Sequence, residues 1–267
     1  MNDALLFKKN GHIVTLTMNR PHDRNPLGAD GDGDNFAEAA ARINDDNDVR
    51  CVILTGAGKA FSAGGNLKAM RDRVGTFGAS PLEMRDKAYR KNIHRLVRSL
   101  WDIEVPTIGA INGPAIGLGN DVGCTCDIRI AADNAKFGAT FLKIGLIPGD
   151  GGSWLLPRVI GWSNAARLFF TGDVIDAETA RSWGLVSDVV PAETLMDEAN
   201  KLAARIAQQA PQTLRMTKRL MRDGMSASFD TIMEMSAAMQ VILQNTEDHR
   251  EAVDAFFEKR TPEFKGR

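Results

Sequence analysis

Cysteine is scarce in this chain of 267 residues: Cys51, Cys124 and Cys126 are too few and too unevenly spaced for a disulfide framework. Cys124 and Cys126 have no second cluster to complete a metal site, so the three read as buried free thiols. Long apolar runs are missing as well. No uninterrupted stretch approaches the roughly 20 residues that cross a bilayer. Residues 1–10 have no basic segment leading into an apolar one, as a secretion signal needs. Neither sign of charge dominates: a net charge of -1 gives no overall pull towards nucleic acid or an anionic membrane, so any anion site must be local. Together these absences predict a cytoplasmic protein that has neither nucleic acid nor membrane as a partner.

What is there is an ordinary globular composition, 43% hydrophobic and 25% charged, on a chain long enough to bury a substantial core. Residues 4–8 and 13–18 flank Asn10-Gly11 and predict a β-hairpin, with Ile13, Val14, Leu16 and Met18 supplying strand-type side chains. Short strands are expected at 49–55, 107–111 and 127–131, and helices at 36–44 and 82–100. Strand, loop and helix alternate to about Pro191, which predicts an α/β fold. Residues 195–257 are almost wholly helical in pattern, broken near Pro211, Gly224 and Asn245. Their apolar faces, including Met221, Met225, Met235 and Met239, need a core or a neighbouring subunit to cover them.

Several motifs fail residue by residue. Asp30-Gly31-Asp32-Gly33-Asp34 looks like a calcium loop, but Asn35 stands where its glycine belongs and Ala41 where its bidentate acid belongs. It reads as a polar lead-in to a helix. Gly58-Lys59 lacks both the following Ser or Thr and the earlier glycine of a phosphate loop. Gly117-Leu118-Gly119 has Val122 in place of the third glycine of a dinucleotide site. Ser62 lacks the first glycine of a nucleophile elbow.

Two small-residue loops remain, each after a strand and before a helix: Ala60-Phe61-Ser62-Ala63-Gly64-Gly65-Asn66-Leu67-Lys68, and Asn112-Gly113-Pro114-Ala115-Ile116-Gly117-Leu118-Gly119-Asn120-Asp121. Small residues let a ligand approach the backbone. N–H groups at helix N-termini are free donors aided by the helix dipole, so two such loops converging would hold an oxyanion.

These loops, with Asn19-Arg20-Pro21 and Asn25, Cys126-Asp127, Phe137-Gly138, Gly145-Leu146-Ile147-Pro148-Gly149 with Gly151-Gly152, and Glu258-Lys259-Arg260, resemble the crotonase superfamily in order and over nearly the whole chain. The resemblance implies a spiral of repeated β-β-α units over residues 1–194, carrying an acyl-CoA site. It implies that residues 195–267 form a helical trimerisation region that closes part of the CoA pocket, giving a homotrimer or a hexamer of two trimers. The substrate would be an acyl-CoA thioester, with coenzyme A arriving as part of it and no further cofactor implied. The oxyanion donors would be the N–H groups of Gly65 and Leu118, with Ala63 beside the first; Arg24 and Lys68 would lie along the CoA.

The carboxylates depart from the family pattern. The two glutamates of its hydratases fall on Asp121 and Phe141, so one acid is shortened and the other is replaced by a ring that faces the substrate and cannot transfer a proton. Asp150, before Gly151-Gly152, is an alternative acid or else a cap of the helix that follows. Asp121 is expected to be the main proton-transfer group and Asp150 the second. The activity implied is that of an enoyl-CoA hydratase/isomerase. Double-bond isomerisation, thioester hydrolysis, decarboxylation and carbon–carbon cleavage stay open on the same scaffold, as does an acyl-CoA-binding homologue without turnover.

Overall fold

Strand β1 (Leu5–Asn10) pairs antiparallel with β2 (Ile13–Met18) in a computed structural model that describes residues 3–267. Met1 and Asn2, the start of the N-terminal stretch read above, lie outside the described residues. Asn10 still pairs with Ile13, so the turn falls on Gly11 and His12, one position later than the sequence suggests. Gly11 adopts φ 55°, where a glycine costs least. Along β2, Val14, Leu16 and Met18 point into the core and the residues between them are half-buried.

Parallel strands continue the sheet: β3 (Cys51–Gly56), β4 (Thr107–Ile111), β6 (Ile128–Ala132) and β9 (Asp188–Val190), in the order β1-β2-β3-β4-β6-β9. Every residue of β3 and β4 is buried, as expected of central parallel strands covered on both faces. A second sheet joins β5 (Ala115–Ile116), β7 (Lys136–Gly138) and β8 (Val174–Asp176). Single bridges from Leu27 to Gly65 and from Ser62 to Ala115 extend it towards the start of the chain.

The helices are α1 (Asp32–Asp45), α2 (Leu67–Asp72), a continuous run made of α3 (Pro81–Glu83), a π-helical stretch Met84–Ile93 and α4 (His94–Trp101), then α5 (Leu118–Thr125), α6 (Gly152–Ile160), α7 (Trp162–Thr171) and α8 (Ala177–Ser182). Each spiral turn now has a common grammar. β3, residues 62–65 and α2 form one turn; β4, β5 and α5 the next; β6, β7 and α6 a third. Every turn gives one segment to each sheet and then a helix, which is the β-β-α spiral that the resemblance implies.

α1 begins at Asp32, four residues earlier than the periodicity places it. The buried Asp32 carboxylate accepts from the N–H groups of Gly28 and Ala29 (2.9 and 3.0 Å) and is gripped by both Arg20 nitrogens (2.9 and 2.6 Å). The acidic-glycine run is therefore the start of a helix fixed by an arginine, and it forms no metal cluster among the described residues.

In the C-terminal region α9 (Leu195–Ala207) lays its small face, Ala199 and Ala203, on Cys51, Ile53, Ile108 and Ala110 of the large sheet. α10 (Pro211–Asp223) is tied down by Lys218, which donates to Val105 O and pairs with Asp127, both at 2.7 Å. α11 (Phe229–Gln244) and α12 (Glu247–Glu258) follow, with the breaks where Pro211, Gly224 and Asn245 put them. α11 buries none of its residues, and Phe229, Met233 and Ile242 are 77%, 53% and 56% exposed. All three cysteines are free and buried.

Candidate active site

β3 and β4 are parallel neighbours, so the loops that follow them leave the same edge of the sheet, where open parallel sheets place their ligands. Ser62 N–H donates to Pro114 O and Ile116 N–H to Ser62 O, both at 3.0 Å, zipping the two loops side by side. A third segment joins them: Ala63 N–H donates to Arg24 O at 2.8 Å and Leu27 N–H to Gly64 O at 2.9 Å.

Asparagines hold these backbones in shape. Asn25, 1% exposed, donates through Nδ2 to Ala57 O and Ala60 O (2.9 and 2.8 Å) and accepts from Arg20 N–H at 2.8 Å. Ser62 Oγ donates back to Asn25 O at 2.7 Å and accepts from Gly64 N–H at 3.1 Å. Asn112 Nδ2 donates to Gly56 O and Gly58 O at 2.8 and 3.0 Å. Their amides supply the bonds that an irregular buried backbone needs.

Gly64 explains how close the loops come. Its φ is 87°, and a methyl group in place of its hydrogen would sit 2.5 Å from Ile116 O and 3.5 Å from Leu118 N. Gly65 follows it, just before α2, and Leu118 is the first residue of α5. Among the described residues neither the Gly65 nor the Leu118 N–H donates to a backbone carbonyl. Both line a cavity of about 110 Å³ whose other walls are largely apolar, with Ala63, Met70, Phe141 and Ile147 among them. The Phe141 ring lies 3.7 Å from where a Gly117 side chain would begin. Two amides at helix starts, on residues that line a small apolar space and with no backbone acceptor of their own, can stabilise a developing negative oxygen.

The two aspartates part company here. Asp150 is the sole carboxylate in that wall among the described residues. It does not cap α6: the cap position is Gly151, and no side-chain capping bond is present. Burial pushes its pKa from 3.8 to about 6, with His94 pulling slightly the other way. Asp121, which the sequence ranks first, is fully buried, is absent from the cavity lining, and has both oxygens without a hydrogen-bond partner. Its carboxyl is pressed on the start of α6, where a methyl group on Gly152 would lie 2.2 Å from Oδ1. Burial first, and the charge of Asp150 second, drive its pKa well above the carboxylate range; Asn120 and the Gly152 N–H lean the other way through contacts that fall short of hydrogen-bond geometry. Burial of this kind opposes ionisation, which argues against the group as a base.

Arg24 and Lys68 are both exposed beside the loops, and neither forms a salt bridge among the described residues. One residue of the wall carries no signal in the sequence: Tyr89, the single tyrosine of the chain, reaches the cavity from the π-helical stretch. Its hydroxyl pKa is raised by burial and by the charge of Asp150. Its ring lies 3.8 Å from where a Gly149 side chain would begin.

The family model for enoyl-CoA hydratase/isomerase matches residues 8–267, and the chain belongs to that family. It is an enzyme of the hydratase/isomerase type that acts on acyl-CoA thioesters. It is 38% identical to a 1,2-epoxyphenylacetyl-CoA isomerase of Escherichia coli over 269 residues, covering 100% of both chains. Over 264 residues it is 36% identical to a crotonyl-CoA hydratase of Syntrophomonas wolfei, covering 98% of each. Among solved structures, an enoyl-CoA hydratase from Bacillus anthracis superposes with a TM-score of 0.91 at 33% identity, over 99% of this chain and 100% of that one.

Proposed function

We propose that the enzyme moves the double bond of an enoyl-CoA thioester, with Asp150 carrying the proton and the N–H groups of Gly65 and Leu118 holding the thioester oxygen. The observation that carries this reading is that, among the described residues, Asp150 is the one carboxylate in the wall of the cavity that holds both amides. Isomerisation needs a single base. With a 3-enoyl thioester, the Asp150 carboxylate takes a proton from C2, and the electron pair moves onto the carbonyl oxygen as a dienolate. The two amides hold that oxyanion, Asp150 returns the proton to C4, and the double bond comes to rest between C2 and C3. Electrons stay within the substrate, so the cycle consumes no cofactor.

Hydration asks for more: a water held and deprotonated at one carbon and a proton delivered to its neighbour. Phe141, in the wall, cannot transfer a proton, and Asp121 lies outside the wall. A base with a pKa of about 6 is ionised at neutral pH yet still suited to giving the proton back. The exposed cations Arg24 and Lys68 suit the phosphates of the CoA, with Ala63 and Phe141 flanking the thioester. We assign the exposed apolar faces of α11 and α12 to a homotrimer, or to a hexamer of two trimers. A reducing cytoplasm suits the three free thiols.

The test is product analysis after incubation with 3-hexenoyl-CoA. The expected product is 2-hexenoyl-CoA of unchanged mass. Rapid conversion of 2-hexenoyl-CoA to a 3-hydroxyacyl-CoA, heavier by one water, with no isomerisation, would replace this reading with hydration.

A further inference from the structure

Beyond the cavity at the two amides lies a second, larger space. It measures about 710 Å³, against about 110 Å³ for the first. Ligand pockets usually run to roughly 300–1,000 Å³, so only the larger space has room for a bulky group. The two share Ile147 and Asp150 in their walls. The two spaces adjoin at these residues, so a group anchored at Gly65 and Leu118 and extended past the proposed base would reach the second. Ile147, at that junction, is 78% exposed.

The wall of this space sets two tryptophans among polar and charged side chains, His94, Arg98, Asp102, Asp150 and Ser153. Trp101, at the end of α4, and Trp154, in the first turn of α6, meet edge to face with ring centroids 5.4 Å apart and planes at 88°. Arg158 stacks on the Trp154 ring at 4.0 Å and Arg222 on the Trp101 ring at 3.9 Å, so each indole is held by a guanidinium. Val97 and Leu155 complete an apolar floor. Fixed indoles reward a flat π-system through offset or edge-to-face contact beyond what area alone gives.

We propose that the Trp101/Trp154 chamber is the acyl-tail subsite of this enzyme, and that it selects thioesters whose acyl group ends in an aromatic ring. The inference rests on the acyl-CoA reading of the amide cavity and names the substrate class that the reading leaves open. Asp150, at the junction, then faces the carbons between the thioester and the ring.

Calorimetric binding to the full-length protein separates the two ideas, using acetyl-CoA, hexanoyl-CoA and 3-phenylpropionyl-CoA, none of which has a double bond to move. The wild type is expected to bind the phenyl thioester about tenfold or more tightly than acetyl-CoA, and more tightly than hexanoyl-CoA. Trp154→Ala should erase that preference and leave acetyl-CoA affinity unchanged. Trp154→Leu, which keeps apolar volume, should lose the preference for phenyl over hexanoyl, and circular dichroism checks the fold of both. Equal affinity of the wild type for acetyl-CoA and the phenyl thioester would overturn the subsite while leaving the acyl-CoA reading intact. Equal affinity for hexanoyl-CoA and the phenyl thioester would overturn aromatic selection, as would a preference that survives in both variants. Failure of all three thioesters to bind would sink the acyl-CoA reading, and the subsite with it.

Discussion

The Asp121 carboxyl and Gly152 are packed so closely that a single added methyl group on the glycine would lie 2.2 Å from Oδ1 and 2.3 Å from Oδ2. This contact joins α5, which carries the Leu118 amide, to α6, which follows Asp150. The acid takes the place of a packing group between two helix starts.

Gly152→Ala should therefore be destabilising, by about 1–3 kcal/mol as for other overpacked sites. Urea unfolding of the variant beside the wild type measures it. An unchanged midpoint would mean that the Asp121 side chain has another place to go.

The amide pair makes a sharper demand at Gly65. A side chain there meets only the terminal methyl of Met70, at 2.7 Å, which can swing aside. Gly65→Ala keeps the N–H and should retain most of the turnover. Gly65→Pro removes the N–H and should cost about 3 kcal/mol of transition-state stabilisation, or roughly a hundredfold in rate. Steady-state rates on one enoyl-CoA, with circular dichroism to confirm folding, compare them; equal rates in a folded proline variant would remove Gly65 from the site.

Much of this was legible in the sequence. β3 and β4 are short runs of apolar residues that end in glycine loops, and that pattern predicts two amide-rich turns after strands; that the two strands are neighbours comes from the fold. Pro211, Gly224 and Asn245 punctuate the C-terminal helices as their backbone chemistry requires. Which of the two aspartates lines the cavity was not legible, because a chain pattern does not say which side of a helix start faces a cavity. Asp121 turns onto the Gly152 backbone, whereas Asp150 sits one residue before the cap of α6 and opens into the space. Tyr89 was equally hidden: it lies within a helical run and reaches the site only through the packing of that run, which lies against α1.

The raised pKa of Asp150 fixes the direction of two pH effects. Its folded-state value of about 6 lies above the ordinary 3.8, so the fold disfavours the ionised form. Stability from this group falls as pH rises from about 4 to about 6 and stays lower above that, by up to about 3 kcal/mol. Asp150→Asn should thus be more stable than the wild type at pH 8 and little different at pH 4, as urea unfolding at the two values would record. Wild-type kcat/KM should rise with pH through about 6 and level off, since the base acts ionised. A rate that falls through the same range would indicate that the protonated acid is the working form.

Self-association should run through α11 and α12. α11 buries none of its 16 residues, and Phe256 and Phe257 on α12 are each 78% exposed, more apolar surface than a monomer commonly leaves open. Sedimentation velocity at micromolar concentration should give the mass of three or six chains. A single-chain mass would leave these faces without an explanation.

The central claim is that Asp150, not Asp121, carries the proton, and the turnover of Asp150→Asn and Asp121→Asn on the same 3-enoyl-CoA tests it most directly. Asp150→Asn should lose a hundredfold or more in kcat, within the usual range for removing a general base, while binding of a saturated acyl-CoA is unchanged. Asp121→Asn replaces an acid whose ionisation burial opposes with a group of the same shape, and should keep kcat within about threefold. A folded Asp150→Asn enzyme at full rate, beside an Asp121→Asn enzyme that is folded and inactive, would contradict the account and return the chemistry to the start of α5.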